Sequence, residues 1–244
     1  MKKIFVSLLA FVMAVSAFAR DHSTDPDSFY LTVEEMPSSL AILMPMPADT
    51  TARFAYDREQ YEWGKSIRNT PRGKMAISDA YVDSTYLDRT FSEAFGRPIT
   101  KKATPVLYKL LSKATNDAGG LSTSEAKAYY HRVRPFVYWN EHTSVPDTEK
   151  DLINNGSYPS GHTAIGWCVA LILADINPAR ATEIRKRGFE YGQSRVIVGA
   201  HYQSDVDAGR VMGAAAFVAL LSNPEFVKDL EAARAEFRNS PAVK

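Results

Sequence analysis

Apolar side chains recur at helical spacing along most of the chain from residue 50 onward. Phe54, Tyr61, Trp63 and Ile67 mark one amphipathic stretch, which ends near Asn69-Thr70-Pro71. A second is expected over 72–95, stopping at Gly96 with Pro98 beyond. Leu107, Leu110 and Leu111 mark a third, ending at Gly119-Gly120. A fourth covers 122–133, with Ser122 or Ser124 as its cap and Glu125 in its first turn. Pro135 closes it, because the residue before a proline is pushed out of the α region. Residues 136–158 include Pro146, Asn154, Asn155 and Gly156 and read as a long surface loop. Helical patterns follow over 160–174, 178–198 and 204–221, then a charged amphipathic helix over 224–238.

Two stretches, 164–174 and 211–221, are apolar nearly all round, which predicts helices at the centre of a bundle. Gly209, Gly213 and the alanines at 214–216 are small enough to let backbones approach closely. Each apolar run is about 11 residues, well under the roughly 20 needed to span a bilayer. No hairpin signal, repeat or low-complexity segment breaks the pattern. The expected fold is all-α, a single-domain helical bundle over 50–244 with the two apolar helices at its centre. Residues 20–49, with Pro26, Pro37, Pro45 and Pro47, read as an extended arm on that bundle, with 40–46 packed against it.

The first residues change the picture of where the protein works. Lys2 and Lys3 precede an apolar stretch over 4–15, and Ala17-Phe18-Ala19 supplies a small-x-small cleavage site. This reads as a secretory signal peptide over 1–19, cut after Ala19, and predicts export. Arg20, not a cysteine, follows the cut, which argues against a lipid anchor. Basic and acidic side chains number 29 and 28, a net charge of +1 that becomes −1 once the two lysines are removed. So even a balance argues against nucleic-acid binding as the main task, and any functional positive charge must be local. Cys168 is the single cysteine, sits in an apolar run and reads as a small buried hydrophobe. With one cysteine neither an internal disulfide nor a Cys/His zinc site can be assembled.

Candidate chemistry gathers in three segments. In KAYYHRVRP, Lys127 and Arg134 are seven apart, so a continued helix would place them on one face. In GSYPSGHT (156–163), Ser160 is a natural N-cap. The helix start at Ser160–Gly161 offers free N–H groups and a positive dipole end to an anion, with His162 beside it. In SRVIVGAHYQSD, Arg195 precedes His201 by six residues and Asp205 follows it by four. On a helix that last spacing lets the Asp205 carboxylate accept the Nδ1–H of His201, leaving Nε2 as a free lone pair. His131 shares a helix with Lys127 but has no obvious carboxylate partner. Three cations, a helix start and two histidines suit a multiply charged anion, and a phosphoryl group fits.

The pattern Lys127-x6-Arg134-Pro135, Pro159-Ser160-Gly161-His162 and Ser194-Arg195-x5-His201-x3-Asp205 resembles the tripartite signature of the type 2 phosphatidic acid phosphatase and vanadium haloperoxidase superfamily. GSYPSGHT, the chain length and the leader are similar to the bacterial class A nonspecific acid phosphatases, as are TPRG at 70–73 and HYQSDVDAGR at 201–210. The resemblance implies an all-α, metal-independent phosphomonoesterase of broad specificity in the periplasm, with no cofactor. It implies small phosphate monoesters as substrates; the missing spans argue against integral membrane association, and of the oligomeric states open to the chain a homodimer is the first expectation. By position it makes His201 the nucleophile, Asp205 its orienting partner and His162 the general acid. Lys127, Arg134, Ser160, Gly161 and Arg195 would then hold the phosphate oxygens. A vanadate-dependent haloperoxidase and a noncatalytic phosphate-binding protein are the alternatives.

Overall fold

The computed structural model of the chain describes residues 28–239. The expected signal peptide over 1–19 and the first part of the expected arm lie outside the described residues. Within them all regular secondary structure is helical, as the apolar periodicity predicts.

The arm is tied down by polar bonds as much as by apolar contact. Tyr30, Leu31 and Met36 enter the core. The N–H groups of Tyr30 and Leu31 donate to the buried carboxylate of Asp117, at 3.1 and 3.0 Å. Burial pushes Asp117 up to about 6 against the opposing pull of those bonds. The arm then forms a single turn, α1 (Ser39–Ile42), capped by the Ser38 hydroxyl, which also donates to Glu125. The expected packing of 40–46 holds only in part, because Ile42 and Met44 face solvent.

Helix α2 (Ala52–Ser66) is capped by Thr51, and α3 (Pro71–Asp79) starts with proline at its first position and Thr70 as cap. Helix α4 (Tyr86–Phe95) stops at Gly96, which adopts the left-handed φ of 81°. The single helix expected over 72–95 is therefore two. Asp83 accepts from the N–H and hydroxyl of Thr85 at 2.8 and 2.6 Å, a local side-chain turn that competes with helix propagation.

Gly119-Gly120 do not end the next helix. Helix α5 (Pro105–Asn116) widens into a π turn (Asp117–Leu121) and continues directly as α6 (Ser122–Tyr130). Because no new helix starts there, Ser122 and Ser124 do not cap; their hydroxyls donate back to Ala118 and Leu121 carbonyls. Gly119 is a close-approach position instead: a Cβ there would lie 2.6 Å from Ile165. Helix α6 ends at Tyr130, three residues earlier than expected, where His131 turns left-handed with a φ of 43°. The stretch 136–158 is more ordered than a plain loop, carrying most of α7 (Pro135–Tyr138), a 3-10 turn (Pro146–Thr148) and α8 (Glu149–Leu152).

Helices α9 (Gly161–Ile176), α10 (Ala181–Ile197), α11 (Gln203–Leu220) and α12 (Pro224–Asn239) complete the bundle. Helix α9 is central, buried along nearly its whole length. Helix α11 is central on one face only. Met212, Ala216 and Leu220 are buried, whereas Val211 and Val218 are 47% and 64% exposed. Its buried face packs against α9, α10, α6 and α2, so both apolar helices lie within the bundle, α11 with one strip left to solvent. Small residues do bring α9 and α11 together, since a Cβ on Gly209 or Gly213 would lie 2.5 Å from the Ser160 or Ala164 carbonyl.

The same logic joins α9 to α10. Gly166 lies under the Tyr191 ring, where an added Cβ would come within 2.1 Å of Cδ1. Gly166→Ala is expected to destabilise the fold by about 1–3 kcal/mol through overpacking. Thermal unfolding monitored by circular dichroism would register this as a clear drop in Tm.

Candidate active site

The site forms where the start of α9 meets the turn between α10 and α11. Ser160 caps α9, its Oγ accepting from the Thr163 N–H at 3.2 Å, while its own N–H donates to the Asp205 carbonyl at 2.9 Å. That arrangement locks α9 to α11 at the point where the chemistry sits. It leaves the Ser160 hydroxyl proton and the first-turn N–H groups of Gly161 and His162 as the donors at the helix start.

His162 donates from Nε2 to the Asp79 carbonyl at 2.7 Å, since a carbonyl can only accept. Nδ1 is therefore the nitrogen left to exchange a proton. Its ring stacks on Tyr191 with centroids 4.4 Å apart and planes 11° from parallel. Burial, then the Arg195 charge, holds the imidazolium well below its usual range, and the Asp79 carbonyl opposes this only partly. Asp79 is itself fixed by Arg187 and by the Ser194 hydroxyl.

His201 shows the complementary tautomer. Arg134 donates from Nη1 to His201 Nε2 at 3.0 Å, and a guanidinium can only donate, so Nε2 carries the lone pair. The Nδ1–H faces Asp205 Oδ2 at 3.2 Å. His201 and Asp205 pair as their spacing predicts, but not along a helix. Asp205 is the third residue of α11, and its Oδ2 also accepts the Tyr202 N–H at 2.9 Å, closing the helix start. His201 precedes the helix. Burial and the Arg134 charge keep its imidazolium well below the usual range, outweighing Asp205.

Three cations surround this pair. Arg134 is held through Nε by the Leu152 and Asn155 carbonyls, at 2.9 and 3.0 Å, and through Nη1 by the Ala200 carbonyl at 3.0 Å. Burial, then the neighbouring Arg195, pushes it down to about 9. Lys127 donates from Nζ to the Gly156 carbonyl and is pushed well down by burial, then by Arg134 and Arg195 together. Lys127 and Arg134 do not share a helix face, because α6 ends at Tyr130; Arg134 reaches the site from the extended segment beyond. Arg195, at the end of α10, is 4% exposed, and its Nε and Nη1 have no hydrogen-bond partner. Burial pushes it down to about 10 against Tyr191 and Asp79. Each buried N–H left unmade costs about 1–3 kcal/mol, which an anion accepting from it would recover.

All eight residues singled out from the sequence lie at this junction, while exposed His131 is a helix cap outside it. The sequence reading missed the layer behind Asp205. Ser157 donates to Asp205 Oδ2 and lies 3.3 Å from His201 Nδ1. Arg132 donates to Asp205 Oδ1 at 2.6 Å and to Asp57 Oδ2 at 2.8 Å. The position of Arg132, two before Arg134, was the available signal; nothing local points to Asp57, 75 residues away. Burial disfavours the Asp205 charge, but Arg132 and the His201 and Ser157 bonds outweigh it and hold the carboxyl below its usual range. Among the described residues no helix is long and apolar enough to cross a membrane.

A family model described as the PAP2 superfamily matches residues 105–227. The chain is 47% identical over 226 residues to a non-specific acid phosphatase of Providencia stuartii, covering 93% of this chain and 91% of that protein. It is 45% identical to a non-specific acid phosphatase of Salmonella typhimurium, covering 84% of this chain and 82% of that protein. An acid phosphatase of Zymomonas mobilis is 32% identical, over 96% of this chain and 87% of its own. The all-α fold, the buried cluster of cations and these relatives agree: the chain belongs to the PAP2 superfamily and, within it, to the bacterial acid phosphatases.

Proposed function

We propose that this acid phosphatase hydrolyses small phosphate monoesters by way of a phosphohistidine on His201. The observation that carries the reading is Arg195: two buried, unpartnered N–H groups beside Arg134, Lys127 and the lone pair of His201. Arg195, Arg134, Lys127, the Ser160 hydroxyl and the Gly161 N–H hold the phosphoryl oxygens, where fixed donors stabilise charge without reorganising. His201 Nε2 leaves Arg134 and attacks phosphorus, forming the N–P bond as the ester P–O bond breaks. His162 gives its Nδ1 proton to the departing alcohol oxygen. Neutral His162 then takes a proton from water, whose oxygen attacks phosphorus and releases His201 and inorganic phosphate. An alcohol in place of that water gives phosphotransfer. Asp205 holds the Nδ1–H throughout and balances the imidazolium.

In this reading the cations supply the charge stabilisation that a metal ion provides elsewhere, so catalysis is metal-independent. The leader over 1–19 sends the mature enzyme to the periplasm. Vanadate, which presents oxygens as a phosphoryl group does, is expected to inhibit competitively against p-nitrophenyl phosphate and to raise Tm. EDTA should leave the rate unchanged. Activity lost to EDTA and restored by a divalent cation would overturn the metal-free mechanism. Bromide oxidation by the vanadate-loaded protein on addition of hydrogen peroxide, with no phosphatase activity, would turn the assignment to a haloperoxidase.

A further inference from the structure

We propose that Arg132 is a positioning residue for this reaction: held by Asp57, it keeps the Asp205 carboxylate charged and aimed at His201 Nδ1. The inference rests on His201 being the nucleophile. Arg132 is 6% exposed and hydrogen-bonds none of the cations of the phosphate cage. Its fork spans two carboxylates. Nη1 donates to Asp205 Oδ1 at 2.6 Å and to the Ser204 hydroxyl at 2.8 Å, and Nη2 donates to Asp57 Oδ2 at 2.8 Å. Its plane rests on the Tyr202 ring, 3.9 Å from the centroid. Asp57, fully buried on α2, accepts from the N–H and hydroxyl of Ser204 at 2.7 and 2.6 Å. The anchor of Arg132 is therefore itself fixed to the first turn of α11, next to Asp205.

The charges alternate from Asp57 through Arg132 and Asp205 to His201, which becomes cationic when Nε2 bonds to phosphorus. Arg132 takes Asp205 Oδ1, so Oδ2 is left to His201, Tyr202 N–H and Ser157. Without Arg132, two buried carboxylates would face each other with no cation between them, and one would take up a proton. A protonated Asp205 could turn its hydroxyl toward His201 and would no longer enforce the tautomer that leaves Nε2 free. The other groups near Asp205 are Lys127 on α6, Arg134, Tyr158 and Tyr202. The first two also favour its charge, so its titration reports Arg132 on top of a constant background.

The test compares Arg132→Met and Arg132→Lys with wild type, using p-nitrophenyl phosphate across pH together with vanadate inhibition. Arg132→Met is expected to lose about 10²-fold or more in kcat, as for a histidine that loses its orienting carboxylate. The acid limb of its kcat/KM profile should move up by about one unit or more as Asp205 starts to titrate in the working range. Vanadate inhibition should be unchanged, because the cage is intact. Arg132→Lys keeps the charge but not the fork, so its acid limb should match wild type while kcat falls about tenfold.

An Arg132→Met variant with wild-type kcat would overturn the proposal. So would one whose kcat and vanadate affinity fall together with an unmoved acid limb, since that marks a packing role alone. If Arg132→Met does not fold, Arg132→Lys decides: wild-type kcat in it sinks the idea. Rapid quench of wild type with a 32P-labelled ester separates the two levels. Absence of label on His201 would refute the nucleophile, whereas label on His201 with an unmoved limb in Arg132→Met would refute only the positioning role.

Discussion

His201→Ala is expected to lower kcat for p-nitrophenyl phosphate by at least about 10⁴-fold, the scale seen when a nucleophile is deleted from a preorganised site. The loss should fall on the chemical step. His201 sits 2% exposed between Arg134 on Nε2 and Asp205 on Nδ1, and both partners hold other bonds that survive the change. Arg134 keeps three carbonyls, and Asp205 keeps Arg132, Ser157 and the Tyr202 N–H. The variant should therefore fold and still bind vanadate, with Lys127, Arg134 and Arg195 in place. Turnover close to wild type in a folded His201→Ala protein would remove the phosphohistidine from the mechanism.

His162→Ala should instead show a loss that depends on the leaving group. For an alkyl phosphate, whose alkoxide is a poor leaving group, kcat should fall by about 10²–10⁴-fold, the usual contribution of a positioned acid. For p-nitrophenyl phosphate formation of the phosphoenzyme should suffer far less, leaving its hydrolysis to limit the rate. Equal losses in a burst-phase assay of both esters would argue against the acid role.

The pH dependence follows from the same residue. The imidazolium of His162 is held below its ordinary range by burial and by Arg195, so its proton is lost at lower pH than for an exposed histidine. His201 is shifted the same way, first by burial and then by Arg134, so its lone pair persists into acid. A bound phosphate dianion beside His162 favours its proton, so the active form, a charged His162 with a neutral His201, belongs to the acid side. The rate should decline as pH rises through neutrality. A kcat profile flat across that range would contradict the assignment.

Much of this was readable from local sequence. The helix start at Ser160 and the stop at Gly96 depend on bonds within a few residues, and the structure places them where the sequence points. Where the reading failed, a nonlocal or competing interaction had won. Thr85 and Asp83 form a turn inside an apparently continuous apolar pattern. Gly119 serves the close approach of α9, not a helix end. The stretch 211–221 is apolar all round, yet Val211 and Val218 face solvent, because composition does not say how many neighbours a helix has.

The site divides in the same way. The sequence by itself determined which groups are available for the chemistry: two histidines, three cations, an aspartate and a capped helix start, at spacings that resemble one family. The spacing to Asp205 points to Nε2 as the free nitrogen of His201, and the Arg134 guanidinium donating to it agrees. The sequence could not determine which nitrogen of His162 is free, because that depends on the Asp79 carbonyl, 83 residues away. Nor could it reveal the Asp57–Arg132–Asp205 chain, because a buried charge is matched by whichever partner the packing of α2 against α11 delivers. Tertiary structure decided the tautomer of His162 and the charge network, since hydrogen-bond direction and desolvation are properties of neighbours in space.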